Sequence, residues 1–232
     1  MNILQKLGKL GQAVTYERAW RRMQRSISPL PLAPITAKID RVQLREIQNR
    51  YADAAGGFAK YTDVGRWLYL ARERAQDLKL HRTSPQRVLD LGCGGGFFLF
   101  ILKQFGHDVL GLGIDERPLY RDLVELFALP RVVWTIKPFE PLPDLGQPFD
   151  WITAFSISFD RVVSGRPRWG PREWNFLLED LQQRHLEPGG KMYFELNPGA
   201  SGNYYTPELR DFFVRRGAKV ERERVFFGHG LR

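Results

Sequence analysis

Val88-Leu89-Asp90-Leu91-Gly92-Cys93-Gly94-Gly95-Gly96-Phe97 is the stretch on which the reading of the chain turns. A short apolar run ends in a glycine-rich turn, and a second apolar run, Phe97 to Phe105, follows at once. The pattern predicts strand, tight turn, helix. Glycines in such a turn admit positive φ and let a ligand lie close to the main chain. The start of the helix adds unsatisfied N–H groups and the positive end of its dipole. The loop therefore suits a nucleotide-like cofactor that carries a carboxylate or a phosphate.

Spacing sorts the cofactors. A dinucleotide loop reads G-x-G-x-x-G. Here Gly92, Gly94 and Gly96 read G-x-G-x-G, and Phe97 stands where the third glycine of a dinucleotide loop would be. Asp90, two positions before the first glycine, would repel a pyrophosphate but can accept a hydrogen bond from an ammonium group. S-adenosylmethionine (SAM) offers that ammonium and carries no phosphate, so the residues favour SAM over NAD. No Gly-Lys-Ser/Thr follows the glycines, which excludes a P-loop.

Downstream, apolar runs alternate in strand and helix lengths. Strands are predicted over 109–114, 131–136, 149–155, 191–196 and 218–227. Helices are predicted over 119–127, 173–186 and 207–216, with Pro188-Gly189-Gly190 closing the second. Alternation of this kind implies an α/β fold, a doubly wound, mostly parallel Rossmann-like sheet. Upstream, residues 36–84 read as a helical cap. Thr36 is its expected N-cap, Leu44 and Ile47 form an apolar stripe, and Gly56-Gly57 break the run. Thr62 or Asp63 then caps a second helix carrying Trp67, Leu68, Leu70 and Leu78.

Residues 1–35 read as a basic amphipathic helical extension. Ile3, Leu4, Leu7 and Leu10 share a face beside Lys6, Lys9 and several arginines, and Pro29, Pro31 and Pro34 suggest a stiff linker. Such a helix docks on its own domain or on a partner subunit in an oligomer, or lies peripherally on an anionic membrane surface. The SAM-binding domain is then 85–232.

Bulk properties bound the rest. Of 232 residues, 43% are hydrophobic and 13% aromatic, enough for a packed core and against disorder. Cys93 is the single cysteine, so no intramolecular disulfide forms, and a reducing, cytoplasmic setting is expected. No run of about 18 apolar residues suggests a transmembrane helix. The net charge of +9 points to an anionic partner, such as nucleic acid, a phospholipid surface or a phosphorylated substrate, or serves solubility alone.

Residues 88–97 resemble motif I of the class I SAM-dependent methyltransferases. Three further features agree with that family: Asp115 at the end of the second strand, Pro138-Phe139-Glu140 after the third, and Leu186-Glu187-Pro188-Gly189-Gly190-Lys191 before the fifth. The resemblance spans about 85–227. It implies that Asp90 orients the donor's amino group, and that Gly92, Cys93, Gly94 and Gly96 cradle its methionine end. It implies that Asp115 takes the ribose diol, and that Phe139 lies against the adenine with Glu140 near its amino edge. Ala154 and Phe155 would border the sulfonium and the acceptor, and Tyr61 would reach the donor carboxylate. Transfer by direct displacement would leave S-adenosylhomocysteine. The family's seventh strand is not evident, since five residues follow Phe227.

The acceptor is less legible. A small-molecule, lipid or glycan acceptor under a helical cap is the main expectation. An RNA-directed methyltransferase, or a non-catalytic scaffold on the same fold, are the alternatives. No catalytic residue and no metal site is assigned. His81, His107, His185 and His229 fall away from the strand ends that hold ligands in such sheets. Asp160, Glu195 and Asn197 are better placed for a base. Ser156, Ser158, Arg161, Arg166, Arg168 and Trp169 are candidates to line an acceptor pocket.

Overall fold

The structure, a computed structural model, describes residues 20, 23, 25–27, 30–53, 58–160, 168–199 and 201–228. The expectations for Ile3 to Leu10, Gly56-Gly57, Arg161, Arg166 and His229 lie outside them. Among the described residues no helix is long and apolar enough to cross a membrane.

In chain order the elements are α1 (Ala33–Thr36), α2 (Arg41–Arg50), α3 (Val64–Asp77), β1 (Arg87–Leu91), α4 (Phe97–Lys103), β2 (Asp108–Gly113), α5 (Pro118–Leu126) and β3 (Arg131–Val133). Then come β4 (Phe149–Ile157), α6 (Pro171–Asp180), β5 (Leu186–Leu196), α7 (Pro207–Arg215), β6 (Lys219–Glu221) and β7 (Arg224–Phe227). One seven-stranded sheet runs β3-β2-β1-β4-β5-β7-β6. β1 to β5 pair in parallel, and β7 enters antiparallel between β5 and β6.

Alternate residues of the central strands face two cores. Leu89, Ile152 and Phe194 pack with Trp174 of α6 and Phe213 of α7. Val88, Trp151 and Tyr193 pack with Leu68 and Ala71 of α3, Leu99 of α4 and Leu123 of α5. The helix ahead of the sheet thus shares a core with the first strand.

Several boundaries differ from the sequence expectation, each for a local reason. Thr36 ends α1 instead of capping a helix. Asp40 is the cap of α2, accepting from the Val42 and Gln43 amides at 2.8 and 3.1 Å. Pro34 sits in the first turn of α1, where its missing N–H costs nothing. Asp63 caps α3 as expected, accepting from the Arg66 amide at 3.1 Å. The helix expected to reach 186 stops at Asp180 and widens into a π turn, Leu181–His185. The last predicted strand is a hairpin: Arg222, at φ 48°, turns the chain between β6 and β7. The seventh strand is therefore present.

Candidate active site

β1 delivers Asp90 and then the loop to one edge of the sheet. Gly92, Gly94 and Gly96 have φ of 72°, 54° and 75°, a region that ordinary side chains avoid. They differ in what surrounds them. A methyl group on Gly96 would meet Leu129 Cδ1 at 2.5 Å, and one on Gly95 would meet Leu123 Cδ1 at 2.9 Å. Those two glycines seat α4 against α5 and its following turn. A methyl group on Gly92 would meet nothing within 4 Å. The Gly92 and Cys93 amides both donate to the Leu112 carbonyl, at 2.7 and 3.0 Å, pinning the loop to β2.

Cys93 turns away from that open side. Its Sγ would lie 2.7 Å from a methyl group on Gly111, so β2 needs glycine there to admit it. Burial, and the nearby Asp90 charge, push its thiol up to about 12. It is a filler beneath the loop. Above the loop, Tyr61 stacks on Trp67 (4.6 Å between centroids) and meets Tyr120 edge-on at 5.2 Å. The Tyr120 ring is 3.9 Å from the position a Gly94 methyl would take.

At the strand ends the structure assembles a polar group that sequence reasoning found only in part. Asp90 is buried at 4% exposure and accepts from Thr153 Oγ1 at 2.8 Å. Burial raises its carboxyl to about 7, against the opposing pull of the Thr153 hydrogen bond and the Arg74 charge. Arg74, on α3, reaches across to Glu195 at 2.8 Å and to Ser156 Oγ at 3.1 Å, and Ser156 also donates to Glu195 at 3.1 Å. The Arg74 guanidinium lies 4.4 Å over the Phe155 ring. Ser156 sits at φ 52° where the β4–β5 register shifts, a bulge that re-aims its hydroxyl toward Glu195. Arg74 carried a signal. It falls on the same helical face as Trp67 and Ala71, a cation within an apolar stripe.

The other expected residues are spread more widely. Asp115 is held by Arg131 at 2.7 Å and Arg121 at 3.6 Å, and it is 38% exposed. Ala154 is fully buried, and Phe155 meets Phe98 edge-on at 4.6 Å. Phe139, half exposed at φ 60°, meets Phe176 of α6 edge-on at 5.9 Å. Glu140 pairs with Lys137 at 3.1 Å. Asp160 is engaged by Arg168 at 3.0 Å, and Arg168 also donates to the Asn197 carbonyl, while Asn197 donates to the Ser156 and Ile157 carbonyls. Asp160 and Asn197 therefore brace the loops. His107 is buried between the Gln86 amide and the Leu80 carbonyl. His185 lies beside Asp180, and burial lowers its pKa.

Strand order β3-β2-β1-β4-β5-β7-β6, with a glycine loop after β1, is the arrangement that decides the fold. It is the fold of the class I, SAM-dependent methyltransferases. No protein-family profile matches the chain. Among curated proteins, this chain is similar to the tRNA U34 carboxymethyltransferase of Hydrogenovibrio crunogenus, 30% identical over 152 residues, or 62% of this chain and 44% of the relative. It is also similar to that of Azotobacter vinelandii, 27% identical over 150 residues, or 60% of this chain and 43% of the relative. The chain thus spans less than half the length of these relatives. Among solved structures it is similar to SAM-bound CalS10, an amino pentose methyltransferase of Micromonospora echinaspora (23% identity, TM-score 0.43, 60% of this chain and 55% of the other). It is also similar to the PH0226 protein of Pyrococcus horikoshii (25% identity, TM-score 0.43, 56% and 55%). The curated names overturn the expected small-molecule, lipid or glycan acceptor: these sequence relatives are named for tRNA.

Proposed function

We propose that this chain transfers an alkyl group, methyl or carboxymethyl, from a SAM-type sulfonium donor to an RNA acceptor. Gly92 carries the donor half of the reading. Its backbone conformation excludes ordinary side chains, and the space beside it is left open for a ligand lying against the main chain. The acceptor half rests on the name shared by the curated relatives, together with a net charge of +9, the sign a phosphate backbone requires.

When bound, the donor supplies an electrophilic carbon already activated for displacement. The chain's own residues hold, align and dry it. Asp90, as carboxylate, accepts from the donor's ammonium. Gly92, Gly94 and Gly96 give the methionine end its cradle. Asp115, braced by Arg131, keeps acceptor capacity for the ribose hydroxyls. Tyr61 and Tyr120 roof the loop and exclude water. By the resemblance, Phe139 and Glu140 would lie against the adenine; in the structure the Phe139 ring meets Phe176. Glu195 is the carboxylate at the strand ends that can take a proton from an acceptor hydroxyl, positioned by Arg74 and Ser156.

Calorimetric titration of the purified chain with SAM, with its carboxymethyl-sulfonium counterpart and with NAD tests the donor. Saturable binding of one sulfonium is expected, with NAD silent. Asp115→Ala should weaken that binding roughly 10- to 100-fold, the worth of hydrogen bonds to a charged group. A folded chain that binds neither sulfonium sinks the reading. Incubation with isotopically labelled donor and mixed tRNA tests the acceptor. Label that never enters RNA overturns that half.

A further inference from the structure

α3 ends at Asp77, and its last turns reach the β5–β7–β6 half of the sheet through Arg74 to Glu195 of β5 and Asp77 to Arg224 of β7. Between the end of this helix and that half of the sheet lies an open cleft of about 810 Å³. Its base is aromatic, with Trp151 and Tyr193 buried and Phe226 partly exposed. Trp151, Tyr193 and Phe226 stand on one face of three neighbouring strands, and the Trp151 and Phe226 rings lie near-parallel with centroids 6.1 Å apart. Its rim is basic. Arg25, Lys79, Arg82, Lys191, Lys219 and Arg224 border it, against Asp77 and Glu221.

The acids are already engaged. Asp77 pairs with Arg25 and Arg224, and Glu221 with Lys219. Lys79, Arg82 and Lys191 have no carboxylate partner among the described residues. Lys79 and Arg82 are exposed, and the Lys191 ammonium stands 5.1 Å from the Trp151 ring centroid. Cations around a cleft that also presents the exposed Trp20 ring and the partly buried Phe226 ring make the surface that single-stranded nucleic acid favours, with phosphates on the charges and bases on the accessible rings. The position agrees. Arg224, in the cleft wall, is the register partner of Glu195, so the cleft runs from the candidate site toward the opposite edge of the sheet, where Lys191 and Lys219 stand.

We propose that this cleft holds a single-stranded segment of the RNA acceptor, next to the residue that is alkylated at the strand ends. The inference rests on the RNA-directed reading above and adds to it where the RNA lies. Trp20 and Ile27 are exposed apolar groups on the border, but six basic side chains surround them, which favours a phosphate-bearing occupant over an apolar helix.

The test uses the whole chain and a fluorescently labelled single-stranded oligoribonucleotide, followed by anisotropy at several salt concentrations. Lys79→Glu with Arg82→Glu changes two exposed side chains outside the sulfonium site. The pair should weaken RNA binding at least about ten-fold and flatten its salt dependence by roughly two phosphate contacts. Calorimetric binding of the sulfonium should stay unchanged, which also shows that the variant is folded. RNA binding equal in variant and wild type overturns the cleft but leaves the RNA-directed reading standing. A wild-type chain that binds the sulfonium and no RNA overturns both. Loss of binding to phosphatidylserine vesicles in the variant, with no RNA binding in either protein, would reassign the cleft to a membrane surface.

Discussion

At the scale of single residues, Asp90 joins stability to function. Burial raises its carboxyl from about 3.8 in the open chain to about 7 in the fold. Between those values the folded protein keeps a proton that the unfolded chain gives up. Stability therefore falls as pH rises from about 4 to about 7, and the penalty is complete above that. Asp90→Asn should raise the unfolding free energy by about 2–4 kcal/mol at pH 8, with the difference vanishing below about pH 4. Thermal melts across that range check it, and a loss that is equal at every pH would refute it. The same substitution should abolish the attraction for an ammonium-bearing donor. The importance of Asp90 is legible from its place before the glycines. Its partners are not, since Thr153 is 63 positions away and Arg74 lies on a helix ahead of the strand.

At the scale of elements, β2 and the glycine loop are fitted to each other through Cys93. A methyl group at Gly111 would stand 2.7 Å from Sγ and 3.2 Å from Leu99 Cδ1. Gly111→Ala should cost about 1–3 kcal/mol as an overpacked substitution, and Cys93→Ala should relieve part of that cost. Urea titration of the two single variants and the double variant measures the coupling. Additive effects would show that the two positions do not meet. The sequence Val109-Leu-Gly-Leu-Gly113 signals a close approach without naming what approaches. Other limits of reading are equally physical. The β6–β7 turn at Arg222 carries none of the glycine or asparagine signals of a tight hairpin, so 218–227 reads as one strand. The π turn at Leu181–His185 keeps a helical composition, so the end of α6 is hidden.

At the scale of the whole molecule, both cores are built on the same strands, so neither face of the sheet can melt alone. Unfolding followed by far-ultraviolet circular dichroism and by tryptophan fluorescence should give coincident transitions. Trp174→Ala, which empties a fully buried site under α6, should shift both together by about 3–5 kcal/mol. An early transition confined to the helical signal would mark the cap as an independent unit. Alternation of strand and helix is enough to read the fold class and the cofactor edge. The apolar stripe of α3 does not say what it packs against, and its place beside β1 appears only in three dimensions. The proposed acceptor cleft is the least legible feature, because Lys79 and Arg82, Lys191 and Lys219 come from three separate parts of the chain and gather only on the folded surface.

The bridge from Arg74 to Glu195 spans 121 positions. On a ribosome adding roughly 5–20 residues per second, α3 emerges roughly 6–24 s before the strand that completes its seat. Throughout that interval Leu68, Ala71 and Ala75 have no finished surface to cover. The nascent chain is then most exposed to chaperones and to aggregation, and slowing synthesis between α3 and β5 should lengthen that exposure without helping the domain to fold.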